Sequence, residues 1–251
     1  MLEQIELTKI EAIAKTAGSA IMEIYKKDFK VEYKDDKSPL TEADTKANEI
    51  ICNALLELYP NIPIMSEENK QTVYEVRKNW EYYWCIDPID GTKEFIKKND
   101  EFTVNIALVH KNTPVLGVVY APAIEEMYKA KQGEGAFKNS QKLPLHVNTQ
   151  PEKKLSVVAS KSHLSEETQE FINNLKTETI EQVSKGSSLK LCMVAEGVAD
   201  IYPRLAPTME WDTAAADAIV RESGKMSYQF KEEVPMVYNK ENLLNPWFVV
   251  K

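Results

Sequence analysis

The stretch WCIDPIDGTKEFI, from Trp84 to Ile96, constrains the chain more than any other. A strand-like run of aromatic and aliphatic residues ends in two aspartates, Asp87 and Asp90, with Pro88 between them and Gly-Thr directly behind. Pro88 biases Asp87 toward extended backbone, so the strand is expected to run right up to it. Gly91 permits a tight turn, and KEFIKK can begin a helix. The two carboxylates would then converge at the carboxyl end of a strand, where α/β folds bind ligands. Asp, Pro and Gly are also turn formers, so a plain turn competes with this reading.

On the N-terminal side, Ile10, Ile13, Ala17, Ile21 and Ile24 have helical spacing. The charged stretch KKDFKVEYKDDKS follows and reads as a mobile hairpin or loop. SPLTEAD opens a second helix, whose apolar face includes Ile50, Ile51, Ala54, Leu55 and Leu58 before Pro60 ends it. IPIMSEE, YYWCID, TVNIALV and VLGVVYAP read as strands, and GEGAFKN as a further hairpin. Past Pro151 strands and helices alternate. LSVVAS, TIEQVS and ADIYPR are the strands. The helices are SEETQEFINNLK, capped by Ser165, GSSLKLCMVAEGV, and WDTAAADAIVRESG, closing on Gly224. The alternation suggests an α/β unit. A soft boundary near Thr149 divides a mixed helix-and-sheet part, 1–149, from this second part, 150–251.

Composition narrows the partners. The 251 residues carry a net charge of −8, which argues against a nucleic-acid polymer. A small anion remains compatible, provided that a metal ion, a helix start or a few cations receive it. No apolar stretch is long enough to span a membrane, and the start is not a secretory signal. Cys52, Cys85 and Cys192 are far apart in apolar runs and read as thiols of a reducing compartment, most simply the cytoplasm. Peripheral association with the inner membrane stays open, and a monomer is favoured over a homodimer.

Further acids sit at element ends. Glu67 and Glu68 follow the IPIMS strand, Asp44 lies in TEAD, and Asp212 follows Trp211. Each has a bland alternative: a plain N-cap for Asp212, a capping box with Thr41 for Asp44, solvated surface charge for the glutamates. If they share a site, zinc of the usual kinds is disfavoured, because the three histidines lack HExxH spacing and CxxC is absent. Carboxylates with a backbone carbonyl and a threonine hydroxyl form an all-oxygen shell that suits Mg²⁺ or Mn²⁺. Two such ions about 4 Å apart are a common device for activating water against a phosphate ester.

DPIDGT, with SEE upstream and WDTAA downstream, resembles the inositol monophosphatase superfamily of metal-dependent phosphatases. SPLTEAD, IMSEE, DPIDGTKEFI, EFTVNIALV, GVVYAP, GSSLK, VAEGVADIYPRL and WDTAA look like its branch of 3′(2′),5′-bisphosphate nucleotidases of the CysQ type, across nearly the whole chain. The resemblance implies a layered α-β-α-β-α sugar-phosphatase-like fold of the α+β (mixed α/β) kind. It implies a hydrolase that removes the 3′-phosphate of adenosine 3′,5′-bisphosphate by metal-activated water, is sensitive to lithium, and clears a by-product of sulfate assimilation or sulfotransfer. It assigns Glu67, Asp87, Asp90 and the Ile89 carbonyl to a first Mg²⁺, and Asp87, Asp90 and Asp212 to a second, with two or three ions in all and Mn²⁺ as substitute. Asp44 and Thr92 would orient and deprotonate the attacking water. Gly91 and Thr92 would offer N–H groups to the phosphate, and Glu68 would act in an outer shell. For the small-molecule nucleotide bisphosphate it points to His163, Ser187, Lys190 and Arg204. A second phosphate does need a cationic pocket apart from the metals.

Two departures from that pattern stand out. Ala216 and Asp217 replace the usual Gly-His after WDTAA, which could tighten packing near the metals and alter the nucleotide end. Asp100 stands where glycine is common, at a turn tip, with little effect expected. The alternatives are the same chemistry on an inositol or sugar phosphate, a covalent aspartyl-phosphate phosphatase, and a non-catalytic nucleotide-binding module. The covalent route wants DxD where this chain has DxxD, and a dead module would normally have lost Asp44, Asp90 or Thr92.

Overall fold

Buried on both faces, a central strand needs apolar residues at every position, and YYWCI provides them. In a computed structural model describing residues 1–33, 39–159 and 165–251, this run lies in β4 (Tyr82–Asp90) of a seven-stranded sheet. Its neighbours are β3 (Ile64–Ser66), parallel to it, and then β5 (Thr103–His110), β6 (Thr113–Ala121), β7 (Glu126–Lys131), β8 (Gly135–Lys138) and β9 (Gln141–Lys142), each antiparallel to the last. Strand β7, EMYKAK, was not expected, because its charged residues dilute the apolar pattern.

The pleat sorts side chains to two cores. Trp84, Ile86, Val104, Ile106 and Leu108 join α1 (Leu7–Tyr25) and α2 (Glu42–Leu58) on one face. Tyr83, Cys85, Ala107 and Val109 meet α6 (Leu189–Glu196) and α7 (Glu210–Glu222) on the other. Helix α7 comes so close to β6 that a Cβ at Gly117 would lie 2.0 Å from the Ala215 carbonyl oxygen, so only glycine fits.

Beyond α6 and α7 lie β10 (Lys154–Val158) and β11 (Thr179–Val183), parallel across α5 (Glu166–Asn173), which is the expected α/β unit. Ser165 accepts from the Thr168 N–H and caps α5 as expected. A bridge from Val157 to Ile201 leads to β12 (Tyr202–Arg204), which pairs with β14 (Phe248–Val250), itself paired with β13 (Ser227–Gln229). The order helices, sheet, helices, smaller strands and α5 is the expected layering. Short β1 (Val31–Tyr33) and β2 (Pro39–Thr41) pair antiparallel, so Pro39–Thr41, read in the sequence as the opening of the second helix, is a strand just before it. Two one-turn helices, α3 (Tyr74–Arg77) and α4 (Thr92–Ile96), complete the set. Among the described residues no helix is long and apolar enough to cross a membrane.

Candidate active site

At the far end of β4 the strand does not stop at Asp87. It continues through Pro88 to Asp90 across a β-bulge, where the missing proline N–H costs no ladder bond. Asp87 Oδ1 accepts from the Ile89 N–H at 3.1 Å, so the acid also shapes the turn. The Glu67 N–H donates to the Ile86 carbonyl at 3.1 Å and brings Glu67 alongside. Glu67, Asp87 and Asp212 each offer an oxygen within 4.8 Å of the others, which fits a divalent cation in an all-oxygen shell. Glu67 and Glu68 are half-buried, not solvated surface charges.

Asp212 reaches the cluster from the first turn of α7. It is not the plain N-cap of its bland alternative: Met209 holds that position, and Asp212 Oδ2 accepts from its N–H at 2.9 Å. That turn is anchored from behind by Glu210, fully buried, which accepts from the N–H groups of Asn239 and Lys240 and from Lys240 Nζ. Sequence reasoning missed this anchor. The signal was a glutamate in the first turn of a helix whose buried positions are mostly apolar.

Asp44 turns its two oxygens to different partners. Its Oδ2 accepts from the Thr41 N–H at 2.8 Å and from Thr41 Oγ1 at 2.6 Å, closing the capping box of α2. Its Oδ1 faces Thr92 Oγ1 at 3.3 Å, and Thr92 Oγ1 also lies 3.2 Å from the Ile89 carbonyl. Gly91, at φ +92°, starts α4. With only five residues α4 has a small dipole, so any anion there would be held by individual N–H groups.

Electrostatics explains why these acids need a counter-charge. Burial raises Asp87 well above the ordinary carboxylate range, and the charges of Glu67, Asp90, Asp212 and Asp44 raise it further. Burial and then Asp90 raise Asp212 to about 8. A carboxyl raised in this way keeps its proton in the folded state and gives it up in the unfolded chain. The metal-free fold therefore loses stability as pH climbs from about 4 toward about 8. A cation that replaces those protons reverses the loss. The rise in melting temperature on adding millimolar Mg²⁺ over EDTA is expected to grow between about pH 6 and about pH 8. An identical rise at both pH values in thermal unfolding would contradict a shared site.

Asp90 and Asp212 also line a cavity of about 530 Å³ with Gly91, Ser187, Lys190 and Arg204. Burial lowers Lys190, Asp90 opposes that, and Arg204 adds to it. Arg204 gives one N–H to the Pro207 carbonyl, while its buried Nε has no hydrogen-bond partner among the described residues. His163 lies outside the described residues. A larger cavity, about 970 Å³, between α1, β1, β2 and α2 holds none of the clustered carboxylates. Asp217 does not line the 530 Å³ cavity. It is fully buried and pairs with Arg221 one turn on. Asp100 takes φ +65° and accepts from Tyr25 Oη at 2.8 Å.

Acids gathered at the end of a sheet flanked by helices on both faces define a class of hydrolase that works with divalent metals. The inositol monophosphatase family model matches residues 1–246, and the chain belongs to that family. Within it, the chain is 43% identical over 246 residues to the 3′(2′),5′-bisphosphate nucleotidase CysQ of Salmonella typhimurium, covering 97% of this chain and 98% of that one. It is 42% identical over 247 residues to the CysQ of Escherichia coli K12, with the same coverage. The crystal structure of CysQ from Bacteroides thetaiotaomicron superposes with a TM-score of 0.88 at 45% identity, over 98% of this chain and 96% of that one.

Proposed function

We propose that the chain is a Mg²⁺-dependent phosphatase that removes the 3′-phosphate of adenosine 3′,5′-bisphosphate, giving AMP and phosphate. One observation carries the reading: a single cavity has the acids Asp90 and Asp212 on its wall together with the cations Lys190 and Arg204. A substrate with two phosphates needs both. Relatives named 3′(2′),5′-bisphosphate nucleotidase support it.

Glu67, Asp87, Asp90 and Asp212, with the Ile89 carbonyl, would hold the ions, two or three of Mg²⁺ with Mn²⁺ as substitute. When bound, such ions stabilise charge on the transferring phosphoryl group and make water more acidic. Thr92 has one hydroxyl proton, directed at Asp44 or the Ile89 carbonyl, so its oxygen is left to accept from water. Asp44 Oδ1 stands ready to take the water's proton. The water oxygen attacks phosphorus, the bond to the 3′ oxygen breaks, that oxygen takes a proton from solvent as AMP leaves, and Asp44 returns its proton to solvent. N–H groups of Gly91 and Thr92 would steady the phosphate. Ser187, Lys190, Arg204 and His163 would receive the nucleotide and its second phosphate. Residues 1–149 thus bring most ligands, and 150–251 bring Asp212 and the cations. All come from one chain, which suffices as a monomer, and the three free cysteines suit the cytoplasm.

Phosphate release from adenosine 3′,5′-bisphosphate and from inositol 1-phosphate, each with and without Mg²⁺, tests the reading. The nucleotide is expected to win in kcat/KM. Arg204→Ala should cost it about 10- to 100-fold, the size of a lost charge-assisted contact, and leave inositol 1-phosphate nearly unmoved. Equal turnover of the two substrates would overturn the nucleotide assignment.

A further inference from the structure

Ser188 is the N-cap residue of α6, where a serine ordinarily turns back to cap its own helix, yet its side chain caps nothing there. Its buried hydroxyl points the other way. Oγ accepts from Asn105 Nδ2 at 2.8 Å and lies 2.8 Å from Asp90 Oδ2 and 2.7 Å from the Asp212 carbonyl oxygen. A hydroxyl has one proton, so these two acceptors share it. One atom thereby joins the last residue of β4 to the first turn of α7.

The direction of that bond is set from behind. Asn105 and Thr103 sit on β5 opposite Asp87 and Asp90 in the register. Thr103 Oγ1 gives its proton to Asn105 Oδ1 at 3.0 Å, which turns Nδ2 toward Ser188. Thr103 can then only accept from Ser187 Oγ, 2.9 Å away. Ser187 reaches it because its backbone is in the left-handed region at φ +48°, an unusual conformation for a non-glycine residue. Ser187, Thr103, Asn105 and Ser188 form one buried, uncharged chain of donors that ends on a carboxylate. Nothing in it can serve as a nucleophile's base or carry charge. What it can do is hold Asp90 and α7 at a fixed separation.

We propose that Ser188 is a positioning residue for the carboxylate site, with Asn105 and Thr103 setting the direction of its hydroxyl. The inference rests on the metal-site reading above. Partners that orient metal ligands typically matter 10- to 100-fold in metal affinity.

The test measures Mn²⁺ binding directly, from the free-ion electron paramagnetic resonance signal, in the wild-type chain, Ser188→Ala, Thr103→Val and the double variant. Ser188→Ala should weaken Mn²⁺ binding about 10-fold or more, with substrate KM at saturating metal unchanged. Thr103→Val keeps the shape of threonine and should weaken binding through the relay alone. In the double variant the losses should not add, because both variants break one chain. Wild-type affinity in Ser188→Ala, or additive losses, would overturn the proposal while leaving the metal site standing. Should Ser188→Ala not fold, undiminished affinity in Thr103→Val overturns it instead. A wild-type chain that binds no Mn²⁺ would remove the metal-site reading and this inference together.

Discussion

Asp90→Asn is expected to lower kcat/KM by at least about 10³-fold while leaving the metal-free fold as stable as before, or more so. The amide has the shape of the carboxylate, and its oxygen can still accept from Ser188 Oγ, now 2.8 Å from Asp90 Oδ2. Its NH₂ group, however, presents protons where a cation needs lone pairs. The stability argument runs opposite to the usual one. Asp90 is a source of repulsion for both Asp87 and Asp212, so removing its charge relaxes a strain that the metal-free protein carries. Activity should collapse while the melting temperature in EDTA holds or rises. A purely structural aspartate would show the reverse, a lower melting temperature with activity retained in the folded fraction. Phosphate release at saturating Mg²⁺ and thermal unfolding in EDTA separate the two. Near-normal turnover would end the carboxylate-site proposal.

What was legible in the sequence was local. DPIDGT gave the acids and the turn, because Asp, Pro and Gly constrain the backbone on their own. The end of β4 was not legible to the residue: Pro88 suggests a stop at Asp87, yet pairing with β5 carries the strand through a bulge to Asp90. The N-cap alternative for Asp212 fails because it stands at the third helical position, where Asn245 Nδ2 on the Met209 carbonyl and the buried Glu210 fix the start of α7. The roles of Asn105 and Ser188 were hidden for a different reason. Each is an ordinary polar residue in an apolar run, and only strand register and helix placement bring them together across 83 positions. Asp217 looked like a change at the nucleotide end, but helical periodicity turns it to Arg221 and away from the cavity.

Asp44 offers the sharpest separation of structure from chemistry, because its two oxygens do different work. Oδ2 closes the capping box with two donors from Thr41, and Oδ1 faces Thr92. In Asp44→Asn the amide oxygen can take over both Thr41 bonds, leaving the NH₂ toward Thr92 Oγ1. That hydroxyl can then accept from the amide and direct its own proton to the Ile89 carbonyl, 3.2 Å away. These hydrogen bonds of the cap survive, and only the basic oxygen is lost. Turnover is expected to fall about 10²- to 10⁴-fold, the usual share of a general base, with the melting temperature nearly unmoved. Asp44→Ala should lose as much activity and, in addition, the cap. That costs about 1 kcal/mol, or about 3 °C for a chain of this length. The comparison of the two variants is what decides. If Asp44→Asn keeps wild-type kcat while Asp44→Ala loses stability alone, then Asp44 is a helix cap and the water must find its base elsewhere.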